Sequence, residues 1–228
     1  MLLAVMQAYK RDFIEFMLAS EVLYFGDFTA KSGRKTPYFV NTGRYRTGAQ
    51  LSRLAGFYAQ VLHTQLGSSF DVLFGPAYKG IPLAAATAVE LSRAHGHDVG
   101  FCFNRKEAKD HGEGGTLIGH SLRDGDRIVI IEDVTTAGTS IRETVPLLKA
   151  AANVELTALI VSVDRMERGS GEVSALQEIR DTYAMKTFSI VTVDEIIEHL
   201  RTTKVNGQLL LDDALYQRML EYRKAYGA

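Results

Sequence analysis

Two adjacent acids, Glu132 and Asp133, close a run of four apolar residues, Ile128-Val129-Ile130-Ile131. They are followed at once by Val134-Thr135-Thr136-Ala137-Gly138-Thr139-Ser140. Each part has a chemical use. Ionised carboxylates only accept hydrogen bonds, so an adjacent pair suits two neighbouring hydroxyls, as on a ribose. It also favours cationic charge developing nearby. The small, hydroxyl-rich loop precedes a helical pattern, and the first N–H groups of a helix are unpaired and partly positive. A phosphate could sit there, approached closely at Gly138 and met by hydroxyls from Thr135, Thr136, Thr139 and Ser140. The plainer alternative is a strand-to-helix turn with one hydroxyl as an N-cap. Capping accounts for one hydroxyl but not for the doubled acid and the remaining hydroxyls.

Four further segments carry polar groups in suggestive places. Phe74-Gly75-Pro76-Ala77-Tyr78-Lys79-Gly80 reads either as a Gly-Pro turn or as a tight anion-binding loop with one cation. Residues 104–115 are polar, glycine-rich and long, holding Arg105, Lys106, Lys109 and His111. Long polar stretches of this kind are uncommon unless functional or disordered. The choice is between a solvated loop and a lid that closes over a polyanion. Residues 28–41 run from a basic turn, with Lys31, into a strand bearing Phe39 and Val40. Arg165, at the end of an apolar run, is either a salt-bridge residue or a fork for a carboxylate.

The elements that must hold these groups are legible in part. Residues 9–18 and 49–66 show helical apolar spacing, the second ended by Gly67. A turn is expected at Gly26-Asp27. Residues 71–74, 99–103, 127–131, 157–163 and 188–193 read as strands, with helices at 81–93 and 141–152. Short helices follow toward the C-terminus, including 214–226. The strands are apolar without alternation, which implies burial on both faces. Their alternation with helices implies an α/β fold: a central, mostly parallel sheet flanked by helices. Ligands then bind at the carboxyl ends of the strands, where the acid pair stands.

Composition narrows the setting. A chain of 228 residues can bury a substantial core without staples. The net charge of −1 offers no general attraction to nucleic acid or an anionic membrane, so any anion site must be local. The single cysteine, Cys102, lies in an apolar run and reads as a buried strand residue. It allows no intrachain disulfide, which fits a reducing compartment. No apolar run approaches a membrane span, and a cytoplasmic location is expected.

The acid pair with its loop resembles the PRPP-binding motif of type I phosphoribosyltransferases, PRPP being phosphoribosyl pyrophosphate. The other four segments, in the same order, resemble the orotate phosphoribosyltransferase family from about residue 13 to about residue 193. The resemblance implies that family's fold: one domain over 1–228, with residues 1–45 forming a hood over the base site. It implies transfer of phosphoribosyl from PRPP to orotate, with Mg²⁺ carried mainly by the diphosphate. The catalytic residues would be Lys109, Glu132 and Asp133. PRPP would meet Lys31, Tyr78, Lys79, Arg105, Lys106, Lys109 and His111, with the loop residues Val134, Thr135, Thr136, Ala137, Gly138, Thr139 and Ser140. Orotate would meet Phe39, Val40, Thr136 and Arg165. A non-proline cis peptide is implied near Ala77-Tyr78. A homodimer is implied as well, its lid reaching the neighbouring site, with no nucleic-acid or membrane partner. Two rivals stay open: a phosphoribosyltransferase for another base, and a nucleotide-sensing regulator that reuses the fold to bind RNA.

Overall fold

The computed structural model describes residues 6–29, 33–105, 116–135, 138–169, 171–205 and 207–228. In chain order the elements are α1 (Ala8–Ala19), β1 (Leu23–Thr29), β2 (Lys35–Val40), a 3-10 turn (Thr42–Arg44), α2 (Gly48–Leu66), β3 (Val72–Phe74), α3 (Gly80–His95), β4 (Gly100–Asn104) and β5 (Leu117–Gly119). Then come β6 (Arg127–Ile131), α4 (Thr139–Ala151), β7 (Glu155–Asp164), α5 (Ala175–Tyr183), β8 (Lys186–Thr192), α6 (Val193–Thr202), β9 (Lys204–Val205), β10 (Gln208–Leu209) and α7 (Asp213–Tyr226).

Six strands form the main sheet in the order β5-β4-β3-β6-β7-β8. All neighbours are parallel except β4 and β5. Ile128, Val129, Ile130 and Ile131 are fully buried, because helices cover both faces of the sheet and leave alternate residues in two cores. On one side Val129 and Ile131 belong to the core shared with α1, α2, α3 and α6; on the other Ile128 and Ile130 belong to the core shared with α4 and α5. The expected parallel α/β sheet is therefore present. Cys102 is wholly buried, and burial pushes its thiol up to about 12. Among the described residues no helix is long and apolar enough to cross a membrane.

Capping fixes where the helices start. Thr47 and Gln50 form a reciprocal capping box at α2, and Thr192 and Glu195 form another at α6. The turn expected at Gly26-Asp27 is instead part of β1. Phe25 pairs with Tyr38 and Phe28 with Thr36, so Gly26 and Asp27 together face the single residue Pro37. Proline has no N–H for a ladder, and a bulge opposite it absorbs the extra residue without reversing the chain.

Candidate active site

The acid pair sits where β6 leaves the sheet, and its main chain is held by side chains as well as by β7. Glu132 N–H donates to the Ile160 carbonyl at 3.0 Å, and Ser162 N–H donates to the Asp133 carbonyl at 2.9 Å. The Tyr58 hydroxyl, from α2, donates to the Glu132 carbonyl at 2.7 Å. The Ser162 hydroxyl donates to the Asp133 carbonyl at 2.6 Å. Carbonyls beyond the end of a strand need such partners when water is excluded.

The side chains of the pair are provisionally occupied. Asp133 Oδ2 accepts from Lys79 Nζ at 2.9 Å and from the Thr42 hydroxyl at 2.5 Å. Lys79 Nζ also donates to Thr42 Oγ1 at 3.1 Å. The Lys79 side chain remains 61% exposed against 16% for Asp133, so the cation can leave at little cost. Glu132 accepts from the Ser140 hydroxyl at 3.2 Å. Burial, and then the neighbouring Asp133 charge, push the Glu132 carboxyl up to about 7, against the opposing influence of Ser140 and Lys79. A cavity of about 380 Å³ opens beside this cluster, lined by Thr42, Tyr45, Leu51, Tyr58, Lys79 and Asp133.

The N-cap of α4 is Gly138, in the left-handed region at φ 67°, and a glycine has no side chain to cap the helix itself. The Thr135 hydroxyl turns back to accept from Gly138 N–H at 3.2 Å. Thr139 is exposed and Val134 half-buried. A glycine N-cap leaves the first-turn N–H groups approachable by an anion.

The 74–80 loop closes on itself. Gly80 N–H donates to the Pro76 carbonyl at 2.9 Å. A Cβ on Gly75 would lie 2.0 Å from the Gly80 carbonyl oxygen, so only glycine fits there. The Ala77–Tyr78 peptide bond is cis. Ala77 N–H donates to Asn104 Oδ1 at 2.8 Å, tying this loop to the end of β4. Tyr78 is 66% exposed. Arg105 is half-buried, its N–H donating to the Thr116 carbonyl at 2.8 Å.

Phe39 and Val40 lie next to each other on β2 and so face opposite ways. Phe39 joins Tyr24 and Phe28 in an aromatic cluster, with ring centroids 5.7 and 5.9 Å away. Val40 packs against the main core. Arg165 follows β7, and its Nε and Nη2 are both bound to Glu167, at 2.9 and 2.7 Å.

The sequence-based assignments to Lys31, Lys106, Lys109, His111, Thr136 and Ala137 lie outside the described residues. The structure brings Lys79 to Asp133 and Ser140 to Glu132. It leaves Arg165 among a separate set of partners. Thr42, Tyr58, Ser162 and Asn104 were missed from sequence. Ser162 had a signal: among the buried residues of β7 it alone carries a hydroxyl. Tyr58 had a weaker one, a buried hydroxyl on an apolar helix face, which needs a partner.

Comparison with known proteins adds three findings. Residues 42–175 match the family model described as the phosphoribosyl transferase domain. Across 222 residues the chain is 57% identical to the orotate phosphoribosyltransferase of Lachnoclostridium phytofermentans, covering 97% of this chain and 99% of that protein. It is 56% identical over 223 residues to that of Clostridium beijerinckii, covering 98% and 100%. Among solved structures, the orotate phosphoribosyltransferase of Francisella tularensis superposes with a TM-score of 0.83 at 36% identity, over 95% of this chain and all of that one.

Proposed function

This chain belongs to the orotate phosphoribosyltransferase family, and from that membership we propose the following reaction and roles. PRPP and orotate give orotidine 5′-monophosphate and pyrophosphate, reversibly, as a step of de novo pyrimidine synthesis. A ring nitrogen of orotate bonds to the anomeric carbon as the bond to the diphosphate oxygen breaks. Positive charge develops on the ribose, and no enzyme nucleophile is required.

The observation that carries this reading is the partly buried acid pair set against the glycine-capped start of α4. Glu132 and Asp133 accept the two ribose hydroxyls and stabilise the cationic ring. Val134, Thr135, Thr136, Ala137, Gly138, Thr139 and Ser140 cradle the 5′-phosphate. Asp133 exchanges Lys79 and Thr42 for ribose hydroxyls, and this frees the Lys79 ammonium for the departing diphosphate. Tyr78, Lys31, Arg105, Lys106, Lys109 and His111 complete the diphosphate site. The segment 104–115 acts as a lid, some of its cations serving the partner site of a homodimer, with Lys109 the principal one for catalysis. Orotate lies along the Phe39-Val40 backbone, near Thr136, and meets Arg165. Residues 1–45 form a hood on a single domain, and the enzyme works in the cytoplasm.

Among the described residues no group of three or more His, Cys, Asp and Glu could hold a metal ion. Mg²⁺, when bound, would be carried mainly by the PRPP diphosphate with its own waters, beside the Glu132–Asp133 pair, and would neutralise the leaving pyrophosphate.

The test is the fall in orotate absorbance when purified protein meets orotate, PRPP and Mg²⁺, with uracil and adenine in parallel. Orotate-specific loss that needs Mg²⁺ is expected. Turnover of another base in place of orotate overturns the substrate, and no turnover with any base overturns the reaction.

A further inference from the structure

Arg165 is built into a socket made by three distant parts of the chain. Its side chain is 14% exposed, and that of Glu167 is 7% exposed. Glu167 Oε1 accepts from Arg165 Nε at 2.9 Å and is ion-paired with its Nη2 at 2.7 Å. The same oxygen accepts from the Tyr222 hydroxyl at 2.9 Å and the Tyr38 hydroxyl at 3.2 Å. The guanidinium lies over the Tyr38 ring, 5.2 Å from its centroid. Its Nη2 is also 3.4 Å from the Tyr222 hydroxyl. The second Glu167 oxygen faces Arg34 at 3.7 Å. Burial, above all, keeps both tyrosines protonated, so both remain donors.

A buried ion pair of this kind is weak support for stability, because desolvation cancels most of the attraction. Its clearer effect is orientation. Nε and Nη2 are committed, while Nη1 has no hydrogen bond to another described residue. The backbone fixes the socket further: Arg168 N–H donates to the Tyr226 carbonyl, and Ala228 N–H to the Met166 carbonyl, both at 2.9 Å. The end of α7 is thereby stitched to the segment that carries Arg165.

We propose that Glu167 and Tyr222 are positioning residues that hold Arg165 for the carboxylate of the base, which makes α7 a specificity-determining element of the enzyme. This rests on the reading of Arg165 as the orotate-binding arginine. α7 lies outside the matched stretch 42–175. It reaches the base site through one phenol oxygen. A base without a carboxylate gains nothing from a fixed guanidinium, so the socket sharpens preference for orotate over uracil.

The experiment is steady-state kinetics on full-length wild type, Tyr222→Phe and Glu167→Gln, varying orotate and PRPP separately, with melting curves. Removing one hydrogen bond to a charged group should raise the KM for orotate by roughly five- to tenfold in Tyr222→Phe. The KM for PRPP should stay within twofold, and the Tm close to wild type. Glu167→Gln should raise the orotate KM further. An orotate KM within twofold of wild type in Tyr222→Phe overturns the proposal, even if Glu167→Gln fails to fold. Equal rises for both substrates with a falling Tm also overturn it, since that is a packing role. Wild type that turns over a different base overturns the underlying reading instead, and it does so before any variant is compared.

Discussion

The ends of β6 and β7 are neighbours in the same sheet, yet their polar groups are treated in opposite ways. After β7, Arg165 is surrounded by a carboxylate and two phenols in a finished network. After β6, Asp133 is met by a mostly exposed lysine and a threonine, while Glu132 is pushed up to about 7 by burial and by its neighbour. One site is complete in the free protein. The other holds two neighbouring acids whose burial and mutual repulsion Lys79 and Ser140 offset only in part. Strands of similar apolar character thus end in one fully partnered polar group and in one acid pair with few fixed partners.

Breaking the acid-pair end should have the largest effect. Glu132→Gln with Asp133→Asn should lower kcat/KM by about 10³-fold or more, on the scale of lost electrostatic stabilisation. The same change should raise stability at pH 8. The sign follows from the raised folded pKa: the Glu132 contribution is fully present below about 4.5, its ordinary value, and is lost as pH rises through about 7. An amide does not titrate, so a melting curve at pH 8 should show a gain on the order of 2 kcal/mol. A variant both inactive and less stable would sink the contrast.

Next in size is Gly75→Ala. The added methyl meets the Gly80 carbonyl at 2.0 Å, so the loop must reopen. A loss of about 1–3 kcal/mol in denaturant unfolding is expected, with PRPP turnover falling at least as far. Lys79→Ala should be milder for the fold and sharper for function. Its exposed pair with Asp133 contributes less than about 1 kcal/mol to stability, whereas turnover should drop by roughly 10²-fold. Smallest is a pH effect. The KM for PRPP should fall several-fold as pH rises through about 7 and Glu132 loses its proton to become acceptor-only. Glu132→Gln should flatten that component, and an identical profile in wild type and variant would remove Glu132 from the ribose site.

Much of this arrangement is written locally. The four apolar residues before Glu132 fix a doubly buried strand, and the small residues after it fix a tight loop. What was not legible depends on contacts across the chain. Thr42 reaches Asp133 over 91 residues, and Tyr58 reaches Glu132 over 74. No local period marks either one. The supposed turn at Gly26-Asp27 failed for a related reason, since its meaning depends on Pro37 standing opposite. Strand β5 and helix α5 do not show in the sequence; β3 is as short as β5 but wholly buried and apolar, whereas β5 is partly exposed and follows directly on the polar stretch.

The antiparallel pairing of β4 with β5 also acts as a tether. Arg105 N–H and the Thr116 carbonyl are 2.8 Å apart, so residues 106–115 leave and return at one point on the sheet edge. A chain that must go out and back can spend only half its contour in each direction. At roughly 3.5 Å per residue, its tip reaches no farther than about 17 Å from that point. A lysine or arginine side chain adds roughly 6 Å, so a charge on this segment stays within about 23 Å of that point.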